Sequence, residues 1–312
     1  MAFRCLIVDV LHESIGSLLE SINVEYDYRP DITRAEIKEV IVNYDGLIIR
    51  SKTTVDEELI NSSQLKFVAR AGAGIDNLDK GALAKHGIEI INAPEGNRDA
   101  VGEHTIGLLL SLLHNLSQGH NQIIAGKWDR EGNRGTELGS LTVGIFGYGN
   151  TGSAFARKLS GFGCRVIAYD KYLANLPDNN AELVDLATFY KETGVLSLHI
   201  PLTNETRYLA STDFFNKFKD ELIFLNTSRG EIAPLDNVLQ AIKTNKIRMA
   251  GLDVLECEKL SAMNEQQTKA FKGLVASGKV LFTPHVAGWT SESYQRINAV
   301  LVEKIGAFLD RG

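Results

Sequence analysis

Three glycines in the middle of the chain have the spacing of a phosphate-binding loop. Gly147, Gly149 and Gly152 follow the apolar run 141–146 and open a helix-like stretch at 153–160. In such a loop the first glycine allows a tight strand-to-helix turn, and the second lets backbone N–H groups approach a pyrophosphate. The third glycine allows close packing of helix on strand. The phosphates would then lie at the positive end of the helix dipole.

One aspartate extends this pattern from a phosphate site to a dinucleotide site. Asp170 follows the next apolar run, 164–169, and a carboxylate at this place accepts hydrogen bonds from ribose hydroxyls. The same carboxylate would repel a 2′-phosphate, and the neighbouring Lys171 side chain can point to solvent. The order of strand, loop, helix, second strand and acid therefore predicts a dinucleotide site that prefers NAD to NADP. An ordinary glycine-rich turn is the alternative.

The elements that must position this loop alternate along most of the chain. Short apolar runs separated by amphipathic stretches indicate βαβ units and a parallel sheet. The predicted strands are 5–9, 44–50, 65–69, 88–92, 141–146, 164–169, 194–199, 221–226, 247–252 and 280–283. The predicted helices, besides 153–160, are 12–21, 33–42, 56–61, 78–86 and 292–309. A longer helix from Ala100 to Ile124 is predicted to join two parallel α/β halves.

Composition restricts the class of protein. A chain of 312 residues is long enough for about two domains. The net charge of −6 argues against a nucleic-acid-binding surface, and no apolar run is long enough to span a membrane. Three cysteines without metal-like spacing indicate reduced thiols, so we expect a cytoplasmic protein. The histidines show no ligand spacing with Cys or Asp, and we expect no metal site.

Several separated motifs give the chain a family resemblance. Together with the glycine loop they resemble the D-isomer-specific 2-hydroxyacid dehydrogenases, and the similarity covers nearly the whole chain. The motifs are Arg70-Ala-Gly-Ala-Gly-Ile-Asp-Asn, Asn92-Ala-Pro-Glu-Gly-Asn, His199-Ile-Pro-Leu-Thr, Asn226-Thr-Ser-Arg-Gly-Glu, Gly251-Leu-Asp-Val-Leu-Glu-Cys-Glu and Thr283-Pro-His-Val-Ala-Gly-Trp-Thr.

The resemblance implies an α/β fold in which one domain is inserted into another. Residues 98–287 would form a doubly wound Rossmann domain that binds NAD. Residues 1–97, completed by 288–312, would form a smaller flavodoxin-like substrate domain. The active site would lie in the cleft between the domains. The resemblance also implies a homodimer formed through the NAD-binding domains, with a small anionic substrate and neither nucleic acid nor membrane as partner.

The resemblance assigns the catalytic roles to Arg229, Glu258 and His285. Interconversion of a 2-hydroxy acid and a 2-keto acid requires transfer of a hydride and of a proton. A guanidinium can bind the substrate carboxylate and polarise the keto oxygen. A histidine can exchange the proton, and a carboxylate beside it favours the charged imidazole. Glu258 lies five residues after Asp253, which is the spacing of the family, but Lys259 stands where many members have proline, and Glu256 is a nearby alternative.

The resemblance also implies which residues contact the cofactor. They are the loop glycines and the first residues of the following helix, the ends of three later strands, and parts of the catalytic set. The predicted cofactor-binding residues are Gly147, Gly149, Asn150, Thr151, Gly152, Asp170, His199, Pro201, Thr227, Ser228, Arg229, Asp253, His285 and Gly288. Asp253 is also expected to support the histidine.

The first half of the chain is expected to bind the anionic groups of the substrate. The residues implicated are Arg50, Ser51, Arg70, Ala73 and Gly74. Backbone N–H groups of the glycine-rich turn would bind a carboxylate, although a plain turn is the alternative. Two arginines exceed the need of one carboxylate, and in the phosphoglycerate dehydrogenase branch of the family such arginines meet a phosphate.

Other residues bear on the substrate. Arg130 or Arg134 of a neighbouring subunit would contribute to binding of the substrate. The alternative is that both are solvated loop arginines. Trp289 stands where that branch usually has a small residue, so it affects the choice of substrate.

The expected function is oxidation of 3-phospho-D-glycerate to 3-phosphohydroxypyruvate, the entry step to serine synthesis. We expect no feedback by serine, because the chain has no room for a regulatory extension. A glyoxylate or hydroxypyruvate reductase is the alternative enzyme, and an NAD-sensing corepressor is the alternative of another class.

Overall fold

The computed structural model describes residues 3–311, and it divides the chain into two compact units. Unit 1 is Met1–Arg98 with Trp289–Gly312, and unit 2 is Asp99–Gly288. Each unit has a parallel sheet with its own apolar core, because strands separated by helices pair in parallel and bury both faces. None of the helices in residues 3–311 is long and apolar enough to cross a membrane.

Unit 1 contains a five-stranded sheet in the order β2-β1-β3-β4-β5, which is the flavodoxin-like order. Its strands are β1 (Phe3–Ile7), β2 (Val24–Tyr28), β3 (Gly46–Ile49), β4 (Phe67–Arg70) and β5 (Glu89–Asn92). Its helices are α1 (Ser14–Ser21), α2 (Arg34–Val40), α3 (Glu57–Ile60), α4 (Lys80–Lys85), the start of α5 (Pro94–Leu113) and α12 (Ser291–Leu309). The last helix packs on this sheet through Ile297 and Leu301, which are buried with Leu19 and Phe67.

Unit 2 contains a seven-stranded parallel sheet in the order β12-β11-β10-β9-β6-β7-β8. The strands are β6 (Thr142–Phe146), β7 (Arg165–Tyr169), β8 (Glu182–Leu183), β9 (Val195–Leu198), β10 (Leu222–Asn226), β11 (Ile247–Leu252) and β12 (Val280–Phe282). The helices are the rest of α5, α6 (Leu116–Ile124), α7 (Asn150–Leu159), α8 (Leu186–Glu192), α9 (Thr212–Asn216), α10 (Leu235–Lys243) and α11 (Glu265–Ser277). The strand order reverses between β6 and β9, which is where doubly wound sheets bind ligands.

The predicted α/β class with parallel sheets is confirmed, and every predicted strand is present. Two short strands were not anticipated. In β2 the sequence Val-Glu-Tyr-Asp-Tyr alternates apolar and polar residues at the edge of its sheet, so it lacks the continuous apolar run of the central strands. The other, β8, has only two residues and lies at the edge of the second sheet.

The prediction of one helix from Ala100 to Ile124 is wrong, because the structure has two helices there. The break falls at Asn115, which has a φ of 52° and precedes α6. Asparagine tolerates this left-handed conformation better than most residues, and one such residue ends a helix. The polar segment 259–279 also has its own helix, α11, which begins at a capping box formed by Asn264 and Gln267.

Candidate active site

Two of the loop glycines are required by the close packing around the turn between β6 and α7. Gly147 has a φ of +96°, and a Cβ there would lie 2.6 Å from the carbonyl oxygen of His199. A Cβ at Gly152 would lie 2.2 Å from the carbonyl oxygen of Gly147. A Cβ at Gly149 would have no described atom within 4 Å. The loop therefore leaves its middle backbone open to a ligand, and this fits a pyrophosphate at the start of α7.

The carboxylate of Asp170 lies beside this loop at the end of β7. It accepts hydrogen bonds from the backbone N–H groups of Tyr148 and Tyr172, each at 2.9 Å. The Tyr148 ring is buried and its hydroxyl donates to Asp178 at 2.6 Å. Glycine loop and acid are thus held together, and a carboxylate oxygen can accept a second hydrogen bond from a ribose hydroxyl. The residues present fit the adenosine half of a dinucleotide.

The His199 ring is buried beside the glycine loop and the first turn of α7. The ring is stacked on Phe155 at 5.4 Å, and its nitrogens lie 2.8 Å from Ser197 Oγ and 3.2 Å from Thr151 Oγ1. Burial lowers the pKa of His199 from 6.5 to about 3, so the ring is neutral. The side chain supports Thr151 in the first turn of α7, and contact of His199 with the cofactor stays a prediction. Pro201, two residues on, is exposed.

The turn after β10 fixes the position of Arg229. Asn226 is buried, accepts a hydrogen bond from the N–H of Ser228 at 3.0 Å and donates one to the carbonyl of Arg229 at 3.0 Å. The Ser228 hydroxyl donates to the carbonyl of Leu198 at 2.6 Å. The partly buried Arg229 guanidinium donates to the carbonyl of Ser228 at 2.7 Å. Sequence reasoning did not single out Asn226, although a buried polar residue directly after an apolar strand is a usable signal.

His285 and Glu258 form a pair at one edge of unit 2. Nδ1 of His285 lies 2.7 Å from Oε1 of Glu258, and the two side chains are 42% and 52% exposed. This leaves Nε2 of the imidazole to exchange a proton with a substrate. Glu256, the alternative acid, accepts a hydrogen bond from the N–H of Leu235 at 2.6 Å. It therefore serves the N-terminus of α10, and burial raises the pKa of Glu256.

Asp253 holds the loop that carries His285. Its buried carboxylate accepts hydrogen bonds from the Thr283 hydroxyl at 2.6 Å and from the N–H groups of Val286 and Ala287, each at 2.9 Å. The N–H of His285 donates to the Asp253 carbonyl at 2.7 Å. These bonds maintain His285 at a φ of 53°, an uncommon value for a residue with a Cβ.

These contacts bear on the predicted role of Asp253. Its side chain is 0% exposed, which agrees with support of the histidine, and its direct contact with the cofactor stays a prediction. His104 lies on the other side of this acid: its Nε2 is 3.0 Å from Thr283 Oγ1 and 3.5 Å from Asp253 Oδ1. Sequence reasoning set His104 aside because nothing near it in the chain resembles a ligand set.

The remaining cofactor residues predicted in unit 2 lie at the ends of its elements. Asn150 and Thr151 begin α7, and both are partly buried. Thr227 follows β10, with its hydroxyl 3.3 Å from that of Thr105. Gly288 is the last residue of the unit.

In unit 1, the Arg70 guanidinium lies against the glycine-rich turn that follows β4. Nε of Arg70 donates to the carbonyl of Arg50 at 3.1 Å. Gly72 has a φ of +145°, and a Cβ there would lie 1.8 Å from Nη1 of Arg70. Asn92 donates to the carbonyl of Ala73 at 2.7 Å, which fixes the turn on the next strand. The turn thus presents Arg70 and the partly buried residues Ala73 and Gly74 together at one edge of the sheet.

The other predicted anion-binding residues follow β3. The backbone N–H of Arg50 donates to the carboxylate of Asp9, and Ser51 is exposed in the next turn. The Arg50 guanidinium lies 3.9 Å from the centre of the Trp289 ring and 5.2 Å from that of Tyr294. Sequence reasoning identified Trp289 as unusual but did not find this contact.

Two further arginines considered from the sequence, Arg130 and Arg134, are exposed. Arg134 is paired with Glu131 at 2.7 Å within one helical turn, as expected for a solvated loop arginine.

Comparison with known families identifies the chemistry of unit 2. Residues 106–287 match the model of the D-isomer specific 2-hydroxyacid dehydrogenase NAD-binding domain. The chain belongs to this family. The glycine loop and Asp170 are therefore parts of an NAD-binding domain.

Two dehydrogenases of the family are similar to the chain. Hydroxypyruvate reductase from Thermotoga maritima is 35% identical over 277 residues, which is 88% of each chain. D-3-Phosphoglycerate dehydrogenase from Archaeoglobus fulgidus is 31% identical over 305 residues, which is 97% of this chain and 56% of that protein. Our chain thus spans little more than half the length of the phosphoglycerate dehydrogenase from Archaeoglobus fulgidus.

A solved structure supports the fold. The TT0316 protein from Thermus thermophilus superposes with a TM-score of 0.82 at 27% identity, covering 99% of this chain and 97% of that one.

Proposed function

We propose that this 2-hydroxyacid dehydrogenase oxidises 3-phospho-D-glycerate to 3-phosphohydroxypyruvate with NAD. The observation that carries the reaction type is the 2.7 Å contact between His285 and Glu258 in an NAD-binding domain. The phosphorylated substrate is supported by Arg50 and Arg70 at neighbouring strand ends and by relatives named D-3-phosphoglycerate dehydrogenase. This reaction would be the entry step to serine synthesis.

Residues of the NAD-binding domain transfer the proton and orient the substrate. Bound NAD would supply the acceptor for the hydride from carbon 2 of the hydroxy acid. Nε2 of His285 accepts the proton of the carbon 2 hydroxyl, and the carboxylate of Glu258 stabilises the imidazolium that forms. Arg229 donates to the substrate carboxylate and to the oxygen at carbon 2, which favours the planar keto product. In the reverse direction His285 returns the proton to the keto oxygen.

We assign binding of the cofactor to three groups of residues in unit 2. The open backbone at Gly149, with Asn150 and Thr151, would hold the pyrophosphate at the N-terminus of α7. Asp170 would accept hydrogen bonds from the ribose hydroxyls. Thr227 and Ser228 would lie near the nicotinamide.

Binding of the substrate anions is assigned to unit 1. The turn at Ala73 and Gly74 would bind the carboxylate through backbone N–H groups, as concave turns of this kind do. Arg50 and Arg70 would bind the phosphate, because a guanidinium offers a fork of donors that matches its oxygens.

Reduction of hydroxypyruvate is the second candidate. It is favoured by the Thermotoga maritima relative, which is named hydroxypyruvate reductase and matches over 88% of its length. Hydroxypyruvate has no phosphate and would not need the charge of both arginines.

We also propose that the protein is a homodimer formed through unit 2. The segment of α6 and the turn after it exposes Leu116, Ile123, Ile124 and Trp128, with 56%, 54%, 72% and 85% of their surfaces accessible. Leu116, Ile123 and Ile124 recur at helical spacing, and exposed apolar side chains grouped in this way are typical of protein–protein interfaces. A cytoplasmic location agrees with the free thiols of Cys5, Cys164 and Cys257.

The experiment that tests the function compares kcat/KM for phosphohydroxypyruvate, hydroxypyruvate and glyoxylate, with NADH consumption as the readout. We expect the phosphorylated acid to be preferred. His285→Gln should lower kcat for each acid by about 100-fold or more, which is the scale of general acid catalysis. A preference for hydroxypyruvate would select the second candidate, and no NADH consumption with any of the acids would reject the dehydrogenase activity.

A further inference from the structure

Arg50 is held in unit 1 by two aromatic side chains from the N-terminal turn of α12 and the residues before it. Its guanidinium carbon lies 3.9 Å from the centre of the Trp289 ring and 5.2 Å from that of the Tyr294 ring. The two rings are themselves 5.2 Å apart at an angle of 44°. A cation over an aromatic face is attracted by the ring quadrupole, most strongly for tryptophan.

Contacts with residues other than the arginine hold the Tyr294 side chain in place. Its hydroxyl donates to the carbonyl of Val10 at 2.8 Å, and its ring meets that of His12 edge to face at 5.8 Å. The helix that carries Tyr294 begins at Ser291 and is capped by the side chain of Thr290. The aromatic pair is therefore a rigid support, and 53% of the Trp289 surface remains exposed.

The charge of Arg50 has no acidic side chain bound to it within residues 3–311. The carboxylate of Asp9 accepts the backbone N–H of Arg50, and no acid in the part of the chain that the structure describes forms a salt bridge with the guanidinium. Burial lowers the pKa of Arg50, more than Tyr294 and Asp9 raise it. Arginines that are paired with acids elsewhere in the described chain include Arg4, Arg34, Arg157, Arg165 and Arg311.

This combination is what an anion-binding arginine requires. Contact with an aromatic ring uses the flat face of the guanidinium, whereas anions bind to the N–H groups at its edge. A partly desolvated cation without a bound carboxylate gains more from an incoming anion than a solvated cation does. The rings also remove much of the rotational freedom that a long side chain would lose on binding.

We propose that Trp289 and Tyr294 are positioning residues that hold Arg50 as the binding group for a second anion of the substrate. The preferred substrates are then 2-hydroxy acids that carry a further anionic group, such as a phosphate, at the carbon farthest from the carboxylate. This inference rests on the proposed function and adds the residues that set its specificity.

The first test is kinetic and uses the full-length protein. Trp289→Leu removes the aromatic face, and Trp289→Phe keeps a smaller one. We expect Trp289→Leu to lower kcat/KM for phosphohydroxypyruvate by about 10-fold more than for hydroxypyruvate, mainly through KM, which is within the range of one cation–π contact. Trp289→Phe should restore most of the loss. Arg4→Leu, which removes another arginine that lies over a ring in unit 1, should not change the ratio.

Equal losses with both acids would overturn the proposal and leave the dehydrogenase activity intact. So would a Phe variant as impaired as the Leu variant, because a residue that only fills space would give that result.

The second test does not depend on turnover. The chain has two tryptophans, so Trp128→Phe leaves Trp289 as the only indole reporter. Inorganic phosphate should change the Trp289 fluorescence in a saturable way, and Arg50→Leu in the same background should abolish the change. No change, or a change that persists without Arg50, would overturn the proposal. A saturable change in a protein that reduces no 2-keto acid would support the anion site while rejecting the proposed function.

Discussion

Nδ1 of His285 lies 2.7 Å from Oε1 of Glu258, although a second glutamate stands two residues earlier in the chain. The two acids point to different partners: Glu258 contacts the imidazole, and Glu256 accepts the N–H of Leu235. The direction of the side chain therefore distinguishes the proposed catalytic glutamate from its neighbour, a choice that sequence spacing alone leaves open.

Replacing the two glutamates should separate catalysis from stability. Glu258→Gln removes the charge that stabilises the imidazolium, and we expect kcat to fall by about 10- to 100-fold. Glu256→Gln is the matched control. It weakens a hydrogen bond at the start of α10, so it should lower the melting temperature slightly and leave kcat within about 2-fold. The opposite ranking of the two kcat values would assign the catalytic role to Glu256.

Asp253→Asn should impair catalysis without a comparable loss of NADH binding. The amide NH₂ would face an N–H group of the 283–287 loop, so at least one of the three hydrogen bonds is lost. A buried hydrogen bond lost in this way costs about 1–3 kcal/mol. We expect lower stability and a kcat lower by about 10-fold or more, because His285 is no longer held in place.

The control for this variant is Asp185→Asn. Asp185 accepts the N–H of Thr188 at 2.7 Å at the start of α8, so its loss should reduce stability but not kcat. If both variants lower kcat in proportion to their stability, Asp253 has no specific effect on the histidine.

The buried His199 should make the protein less stable as the pH falls. Its pKa is lowered to about 3 in the folded protein, whereas in the unfolded chain it is near 6.5. Its contribution is therefore complete above about pH 6.5 and decreases as the pH falls from there toward 3, because the unfolded chain binds a proton that the folded protein does not. The slope approaches about 1.4 kcal/mol per pH unit.

The measurement is the free energy of unfolding in urea between about pH 5 and pH 6.5, a window above most carboxylate titrations. His199→Asn should show a smaller slope than the original protein. His120→Asn, at an exposed position, should keep the original slope. An unchanged slope in His199→Asn would mean that this histidine is not neutral and buried in solution.

A charge on the exposed face of α6 should dissociate the proposed dimer. Ile124→Asp places a carboxylate where an apolar side chain would be buried between two copies, and burial of an unpaired charge is strongly unfavourable. We expect sedimentation or light scattering to show a dimer for the original protein and a monomer for the variant. Val275→Asp changes an equally apolar and 55% exposed residue on α11, and it should remain dimeric. A monomeric original protein would reject the dimer.

The features that the sequence predicted well depend on local pattern. Continuous apolar runs identified the central strands, and the requirement for glycine at 147 and 152 follows from the turn itself. The features that it missed depend on distant partners. The burial of His199 requires Phe155 and Ser197 around it, and the break at Asn115 interrupts an otherwise helical pattern.

The same division holds for the candidate site. The motif around His285 is recognisable from consecutive residues. Its hydrogen bonds, by contrast, join Thr283 to Asp253 and His104, which lie 30 and 179 residues away in the chain. The contact of Arg50 with the Trp289 ring likewise joins residues that are far apart in the sequence. The periodicity of apolar residues does not predict such a contact, because it forms only when unit 1 folds.

The carboxylate of Asp253 also limits how this chemistry could be moved to another scaffold. The short peptide around His285 does not encode its own conformation, since a buried acid directly after β11 holds the left-handed backbone at the histidine through hydrogen bonds. A graft of residues 283–287 alone would relax to an ordinary extended segment and turn the imidazole elsewhere. A designer would have to transplant two adjacent strand ends, with β11 and β12 in register, as the smallest portable unit.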